Sequence, residues 1–424
     1  MQPPPDLAPA GAPHPHEVLL NAQRHTSDLA PLITAAFLLL VLGHSLQALG
    51  YSSMPLLPLY LEHLQADRTE ISLIMSTAAV SGILFRPLVG WSLDVFGRRP
   101  TLTVGTVILV ISMALIGLVD TIGPLIYAAR FLFGIGVGAL FTGYFAFVSD
   151  IIPVSRRTEG IALFGVSGLA PLALNPVHQR LVGEPANLRW LYPGLAVIIF
   201  ASLLCIWLIP EPNQATGEQD EPRPGVTVSD IVKALLEPRL WPVWWASVIF
   251  AGLVALFMTF ATVVAEARGV EQPATLWVAY AGGAIGVRLF GARLPDRLGT
   301  RNLVAPALGC YVVAFMLAAG ASSATGFIVA GLLAGLGHGY CFPVLTSQVV
   351  SRSPDHLRGS ALAMFTALWD ASKLALMPLF GNVSDRLGDA VMFSMVAVTA
   401  LAALVAWAGL EHRLGEAPSQ AESG

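Results

Sequence analysis

Apolar residues run along this chain in blocks of about twenty, broken by short polar stretches rich in Gly, Pro, Arg and Asp. A helix needs about 20 predominantly apolar residues to cross the hydrocarbon core of a bilayer. Twelve blocks meet that requirement: 30–53, 70–89, 101–119, 124–149, 159–180, 191–210, 241–265, 274–293, 303–321, 325–350, 358–383 and 391–410. The pattern predicts an all-α membrane protein of twelve transmembrane helices. The sixth and seventh blocks are separated by a stretch rich in Pro, Glu and Gln, Glu211 to Pro224, and a short amphipathic piece, Val228 to Leu236. The chain therefore divides into a mobile tail (1–29), a six-helix bundle (30–210), a cytoplasmic linker (211–238), a second six-helix bundle (239–410) and a C-terminal tail (411–424). The first tail has no charged, apolar and small-residue succession of the kind a cleaved signal peptide shows, and its His14, His16 and His25 are too sparse to read as a metal tract.

Composition agrees with the pattern. Hydrophobic residues make up 55% of the chain and charged ones 12%, against roughly 25% charged in soluble domains. A formal charge of −4 with Lys and Arg scattered singly excludes a nucleic-acid partner. Cys205, Cys310 and Cys341 each sit inside an apolar run, where they read as small hydrophobes and not as a disulfide or zinc framework. No metal and no cofactor is expected.

Charge also sets orientation, because Lys and Arg accumulate on the cytoplasmic side of short loops. With the amino terminus inside, fourteen basic residues fall in cytoplasmic segments and five in outer ones. Both termini are expected in the cytoplasm, with the chain in the cell (cytoplasmic/inner) membrane. Trp190, Tyr192, Trp241, Trp244, Trp245 and Trp407 lie near span ends and read as interfacial anchors.

One polar turn recurs. Gly90-Trp91-Ser92-Leu93-Asp94-Val95-Phe96-Gly97-Arg98-Arg99 joins the second and third spans, and a related stretch from Arg288 to Arg301 joins the eighth and ninth. Arg86 falls on Arg288, Asp94 on Asp296, Gly97 on Gly299 and Arg99 on Arg301, all at an offset of 202. Gly134-Ile135-Gly136 matches Gly335-Leu336-Gly337 at 201, and Gly160-Ile161-Ala162-Leu163 matches Gly359-Ser360-Ala361-Leu362 at 199. The chain is two copies of one unit, the arrangement a transporter uses when one bundle rocks against the other around a central site. A third run, Gly381-x3-Asp385-x2-Gly388, follows the eleventh span on the outer side; it has the same spacing and is given no function.

Gly90-x3-Asp94-x2-Gly97-Arg98-Arg99 resembles the signature of the major facilitator superfamily between its second and third helices, and Arg130-x3-Gly134-x-Gly136 resembles that family's motif in helix four. The resemblance covers residues 30 to 410. It implies that Gly90, Asp94, Gly97, Arg98 and Arg99, with Asp150 and Arg157, form a conformational latch, with Asp296, Gly299 and Arg301 as its second-half counterparts. Ser351 stands where the second half would need the equivalent of Asp150. The helix-four motif is similar to that of bacterial proton-coupled drug exporters, which implies a role for Arg130 in proton exchange. The fifth span keeps Gly168 and Pro171 but lacks the adjacent Gly-Pro pair of those exporters.

Polar groups inside apolar spans are costly and mark function. Asp370 lies midway along the eleventh span and Lys373 follows on the same helical face, so the two read either as a protonatable site at the cavity or as a structural ion pair. His44 and Gln47 share a face of the first span, and His338 lies in the tenth. These could line the cavity or bond between helices. No His-Glu-x-x-His, Gly-x-Ser-x-Gly or Gly-x4-Gly-Lys-Ser/Thr run occurs, which argues against an enzyme and against direct ATP coupling.

The expected function is secondary active transport of a small solute by alternating access, with protons as coupling ion, the bilayer as surroundings and a monomer sufficient. Proton-coupled efflux of an amphipathic or drug-like compound leads. Uptake or uniport of a sugar, organic acid or other metabolite stands beside it, and a receptor or scaffold without transport is more remote.

Overall fold

The computed structural model describes residues 31–153, 156–209, 228–291, 294 and 298–414. The amino-terminal tail, most of the linker and Asp296 lie outside that set, as does the side chain of Arg157.

The described residues are helical throughout, with no strand among them. The first half comprises α1 (Ala35–Ser52), α2 (Leu57–His63), α3 (Arg68–Val95), α4 (Arg98–Ile116), α5 (Pro124–Ile151), α6 (Arg157–Leu169), α7 (Asn175–Val182) and α8 (Leu188–Leu208). After the linker helix α9 (Val228–Leu236) come α10 (Trp241–Ala267), α11 (Leu276–Phe290), α12 (Thr300–Gly320), α13 (Ala324–Arg352), α14 (Arg358–Leu387) and α15 (Asp389–Leu414). Every predicted block is helical. Nine helical stretches among the described residues are long and apolar enough to cross a membrane. The other three blocks fall short for visible reasons. The fifth is broken into α6 and α7 by a 3-10 turn over Ala170–Leu174 that contains Pro171, α11 has only 15 residues, and α14, though 30 residues long, carries Asp370, Lys373, Asp385 and Arg386.

Packing follows the repeat. Within the first half α5 packs on α3 and α4, and α8 on α1 and α4; within the second, α13 packs on α11 and α12, and α15 on α10 and α12. The matching glycines make matching contacts. A Cβ on Gly134 would collide with the carbonyl of Ala78, and one on Gly335 with that of Tyr280. Likewise Gly136 faces the carbonyl of Gly105 and Gly337 that of Ala307. Each pair of partners is again separated by 201 or 202 positions, so the duplicated sequence builds duplicated helix crossings through glycines that let backbones touch. Gly138, Gly282 and Gly286 have open space around them and take no part in this.

The halves meet chiefly along two seams. Helix α3 lies against α14, and α11 lies against α6 and the 3-10 turn that follows it. Helix α9 sits on α14 and is pinned by Trp244, whose indole N–H donates to the Ala234 carbonyl at 3.3 Å. Trp244, Tyr192 and Trp407 are buried packing residues, whereas Trp190, Trp241 and Trp245 face outward as anchors would.

Candidate functional site

Helix α3 begins with Asp67 as N-cap, its carboxylate accepting the Glu70 N–H at 2.8 Å in a reciprocal capping box. Nineteen positions on, Arg86 reaches over the first seam to Asp370 of α14, Nη2 to Oδ2 at 2.5 Å. Lys373, one turn beyond Asp370, donates to the other carboxylate oxygen at 3.2 Å. The Asp370 carboxylate thus sits between a cation of its own helix and one from the opposite half. Gly82 of α3 is what admits it, since a Cβ there would stand 3.0 Å from Oδ2. Trp369 roofs the group: the Lys373 ammonium lies 6.0 Å from its ring, and Phe250, Phe342 and Phe365 surround it at 5.0, 5.7 and 6.1 Å.

On the second seam Arg288 of α11 extends to Gly165 of α6, against whose backbone its guanidinium lies too closely for a Cβ to fit. Beside it, His338 Nδ1 and Tyr280 OH are 2.6 Å apart and Tyr280 OH is 2.8 Å from Tyr311 OH.

His44 and Gln47 serve the interior of the first half. His44 Nδ1 lies 2.6 Å from Ser167 Oγ and Nε2 lies 3.1 Å from Tyr51 OH, while Gln47 donates to Thr106 and Ser202 at 2.7 and 2.9 Å. They tie α1 to α6, α4 and α8. Arg130 is buried at the α3–α5 crossing, donating to the Met75 carbonyl at 2.9 Å, with its guanidinium 4.4 Å from the Phe133 ring. It makes no contact with the Asp370 cluster.

The latch residues occupy the far end of α3. Gly97 and Gly299 both have a φ near 80–90°, 89° and 80°, open to glycine without strain, and each starts the next helix. Arg98 Nε meets Asp150 at 2.8 Å, and Arg99 reaches the carbonyl of Ile209. Asp94 is exposed and pairs with no described residue, and Gly90 has open space around it. In the second half a different carboxylate compensates for Ser351: Glu411 of α15, 2% exposed, accepts from Arg352 at 2.6 and 2.9 Å and stands 3.3 Å from Arg301.

The third run, to which sequence gave no role, is fully engaged at the opposite end. Asp385 accepts the backbone N–H of both Arg68 and Thr69 at 2.8 Å, and the Thr69 hydroxyl at 2.5 Å. Arg68 also meets Asp389 at 3.1 Å and Glu62 at 2.8 Å. Gly381 rests on Ser72 and the Arg68 carbonyl, and Gly388 has a φ of 89°, the same as Gly97. Residues missed by sequence reasoning, then, are Arg86, Arg288, Trp369, Asp385 and Glu411. The signals that pointed to three of them were the Arg86–Arg288 repeat and the third glycine-aspartate run.

Comparison with known proteins places this geometry. A family model described as Major Facilitator Superfamily matches residues 39–375. An uncharacterized MFS-type transporter of Salmonella typhimurium is 25% identical over 366 residues, covering 82% of this chain and 88% of its own. Multidrug resistance protein 1 of Bacillus subtilis is 21% identical over 167 residues, 39% of this chain and 43% of its own. Among solved structures, the nucleoside transporter NupG superposes with a TM-score of 0.71 at 14% identity, covering 89% of this chain and 99% of NupG. A POT family transporter in complex with a thioalcohol-conjugated peptide gives 0.75 at 12%, covering 90% and 96%. This chain belongs to the Major Facilitator Superfamily: it is a multi-pass membrane transporter of small molecules and not an enzyme.

Proposed function

We propose that the protein is a twelve-span secondary transporter of the bacterial inner membrane, with both termini cytoplasmic and bundles at 30–210 and 239–410, that couples solute movement to protons through Asp370. The observation that carries this is the Arg86–Asp370–Lys373 cluster. A carboxylate held by one cation from each half forms an ion pair with Arg86 only when ionised, so protonation weakens the seam between α3 and α14 and ionisation strengthens it. A titration thereby becomes a movement of one half against the other.

The two ends of that seam support alternating access. Helices α3 and α14 run antiparallel, and each ends in Gly-x3-Asp-x2-Gly aimed at the other's N-terminus. At the outer end Asp385 caps α3. At the inner end Asp94 is unpaired and α14 starts at Leu357 without a side-chain cap. On this reading the seam is closed at its outer end. In the opposite state Asp94 caps α14, assisted by Arg98 and Arg99 with Asp150 and Arg157, while Asp296, Gly299 and Arg301 steady the second half.

Export is the favoured direction, supported by the Arg130-x3-Gly134-x-Gly136 run and the likeness to a protein named for multidrug resistance. The test is a pH dye inside proteoliposomes: adding a carried solute should move protons in the wild type, and Asp370→Asn should abolish that movement. A uniporter would carry solute with no pH change in either protein.

A further inference from the structure

The charges near the middle of the seams do not cancel. Away from the ends of the twelve spans the sequence contains one acidic residue, Asp370, against Arg86, Arg130, Arg288 and Lys373. Arg130 is held at the α3–α5 crossing by a carbonyl and an aromatic ring. The other three cations share one carboxylate between them.

The repeat shows which cation is left over. Arg86 and Arg288 are the same position in the two halves, and each crosses to the other half, Arg86 to α14 and Arg288 to α6. Arg86 finds Asp370. The positions of α6 and the following turn that correspond to Asp370, offset by 199 to 202, are Gly168, Leu169, Ala170 and Pro171, none of them acidic. Among the described residues nothing accepts a hydrogen bond from Arg288, and its Nε is buried without a partner. Arg86 Nη1 and the Trp369 indole N–H are buried without partners as well. These three orphaned groups are all donors. Buried donors left unmatched cost free energy, and buried unmatched charges cost more. The side chains of Arg86 and Lys373 are nevertheless 29% and 34% exposed at mid-span. Ammonium and guanidinium groups do not face lipid tails at that depth, so they border an internal opening. Aromatic rings stand next to these cations: Trp369 lies 6.0 Å from the Lys373 ammonium and 5.7 Å from Phe342, which meets Phe141 edge to face between α13 and α5 at 6.2 Å.

We propose that this opening binds a small amphipathic organic anion, a carboxylate, sulfonate or phosphate ester, whose charged group is held by Arg288 with Lys373 and whose apolar part lies against Trp369 and Phe342. The proposal rests on the transport reading above and narrows its substrate class. Arg288 supplies the fork that a planar anion accepts, and Lys373 adds a second positive charge. The anion then takes the place that Asp370 holds in the other half.

The experiment uses four probes of one size, benzoate, benzenesulfonate, benzamide and benzylammonium, on the purified full-length protein. Thermal unfolding reports binding, since a ligand of the folded state raises the midpoint, and counterflow in proteoliposomes reports transport. Benzoate or benzenesulfonate should raise the midpoint where benzamide and benzylammonium do not. Arg288→Gln should weaken that binding by about tenfold to a hundredfold, the worth of a charge-assisted bond, with Arg288→Lys in between. Lys373→Gln should weaken it also, and serves if Arg288→Gln fails to fold. Stabilisation by benzamide or benzylammonium equal to that by the anions, anion binding unchanged in both variants, or no stabilisation by any probe would overturn the anion site. Counterflow of benzylammonium alone would overturn it while leaving the transport reading intact.

Discussion

Asp370 has two partners of unequal permanence. Lys373 travels with it on the same helix, whereas Arg86 belongs to the opposite half and is lost whenever the seam opens. Sequence reasoning found the first, because a spacing of three residues is legible on a helix. It missed the second, which lies 284 positions away; only the recurrence of an arginine at 288 hinted that position 86 mattered. His44 and Gln47 were legible as a shared face with two readings, cavity lining or bonding between helices; the structure gives the second, but their partners Ser167, Thr106 and Ser202, from three other helices, were not legible. Asp370→Asn leaves its cations without their counter-charge. Breaking a fully buried pair costs about 3–5 kcal/mol, and the partial exposure of Arg86 puts the expected loss below that range. The double variant Arg86→Gln with Asp370→Asn should recover part of it, with a coupling of about 0.5–3 kcal/mol in a double-mutant cycle read by thermal unfolding. Strict additivity would show that the two side chains do not interact.

Helices were the most legible level, since block length alone located the nine stretches that, among the described residues, are long and apolar enough to cross a membrane, and their packing was legible wherever a glycine repeated. The collision of a Gly134 or Gly335 Cβ with a backbone carbonyl makes a definite forecast. Gly134→Ala and Gly335→Ala should each lower stability by about 1–3 kcal/mol, while Gly138→Ala, which meets open space, should be neutral or slightly stabilising. Equal effects at all three positions would contradict the assigned crossings. The end of α3 was less legible: Asp385 is a surface carboxylate until α3 is brought beside it. Asp385→Ala removes the acceptor for two helix N-terminal donors, a loss of about 1 kcal/mol for a cap. It should shift the population toward the outward-open state, seen as faster labelling of a cysteine introduced at buried Ser72 by an impermeant maleimide. Unchanged labelling would mean that Asp385 only decorates the helix end. In the second half, the missing equivalent of Asp150 was visible in Ser351, but its replacement by Glu411 was not, because the carboxylate comes from a different helix. Glu411→Gln should destabilise the protein by about 1–3 kcal/mol, since it removes the buried charge that Arg352 pairs with, Glu411 being 2% exposed and Arg352 16%.

For the whole molecule, the duplication places two equivalent arginines on two seams and gives only one of them a carboxylate. On the proposed reading, that asymmetry gives proton coupling to one seam and leaves the other for a ligand. The energetics are sufficient. Each charge crossing 100 mV contributes about 2.3 kcal/mol, so one proton can sustain a solute ratio of roughly fortyfold. If the solute is an anion leaving an inside-negative cell, its own charge adds to the drive. The central claim, that Asp370 links solute movement to protons and is not needed for the rocking itself, separates two kinds of flux. Counterflow, in which loaded protein exchanges labelled for unlabelled solute, needs the movement but no net proton release. Transport driven by a pH gradient needs both. The decisive measurement compares the two in proteoliposomes for wild type and Asp370→Asn. Retained counterflow with gradient-driven transport lost is the predicted result; gradient-driven accumulation persisting in Asp370→Asn would contradict the account.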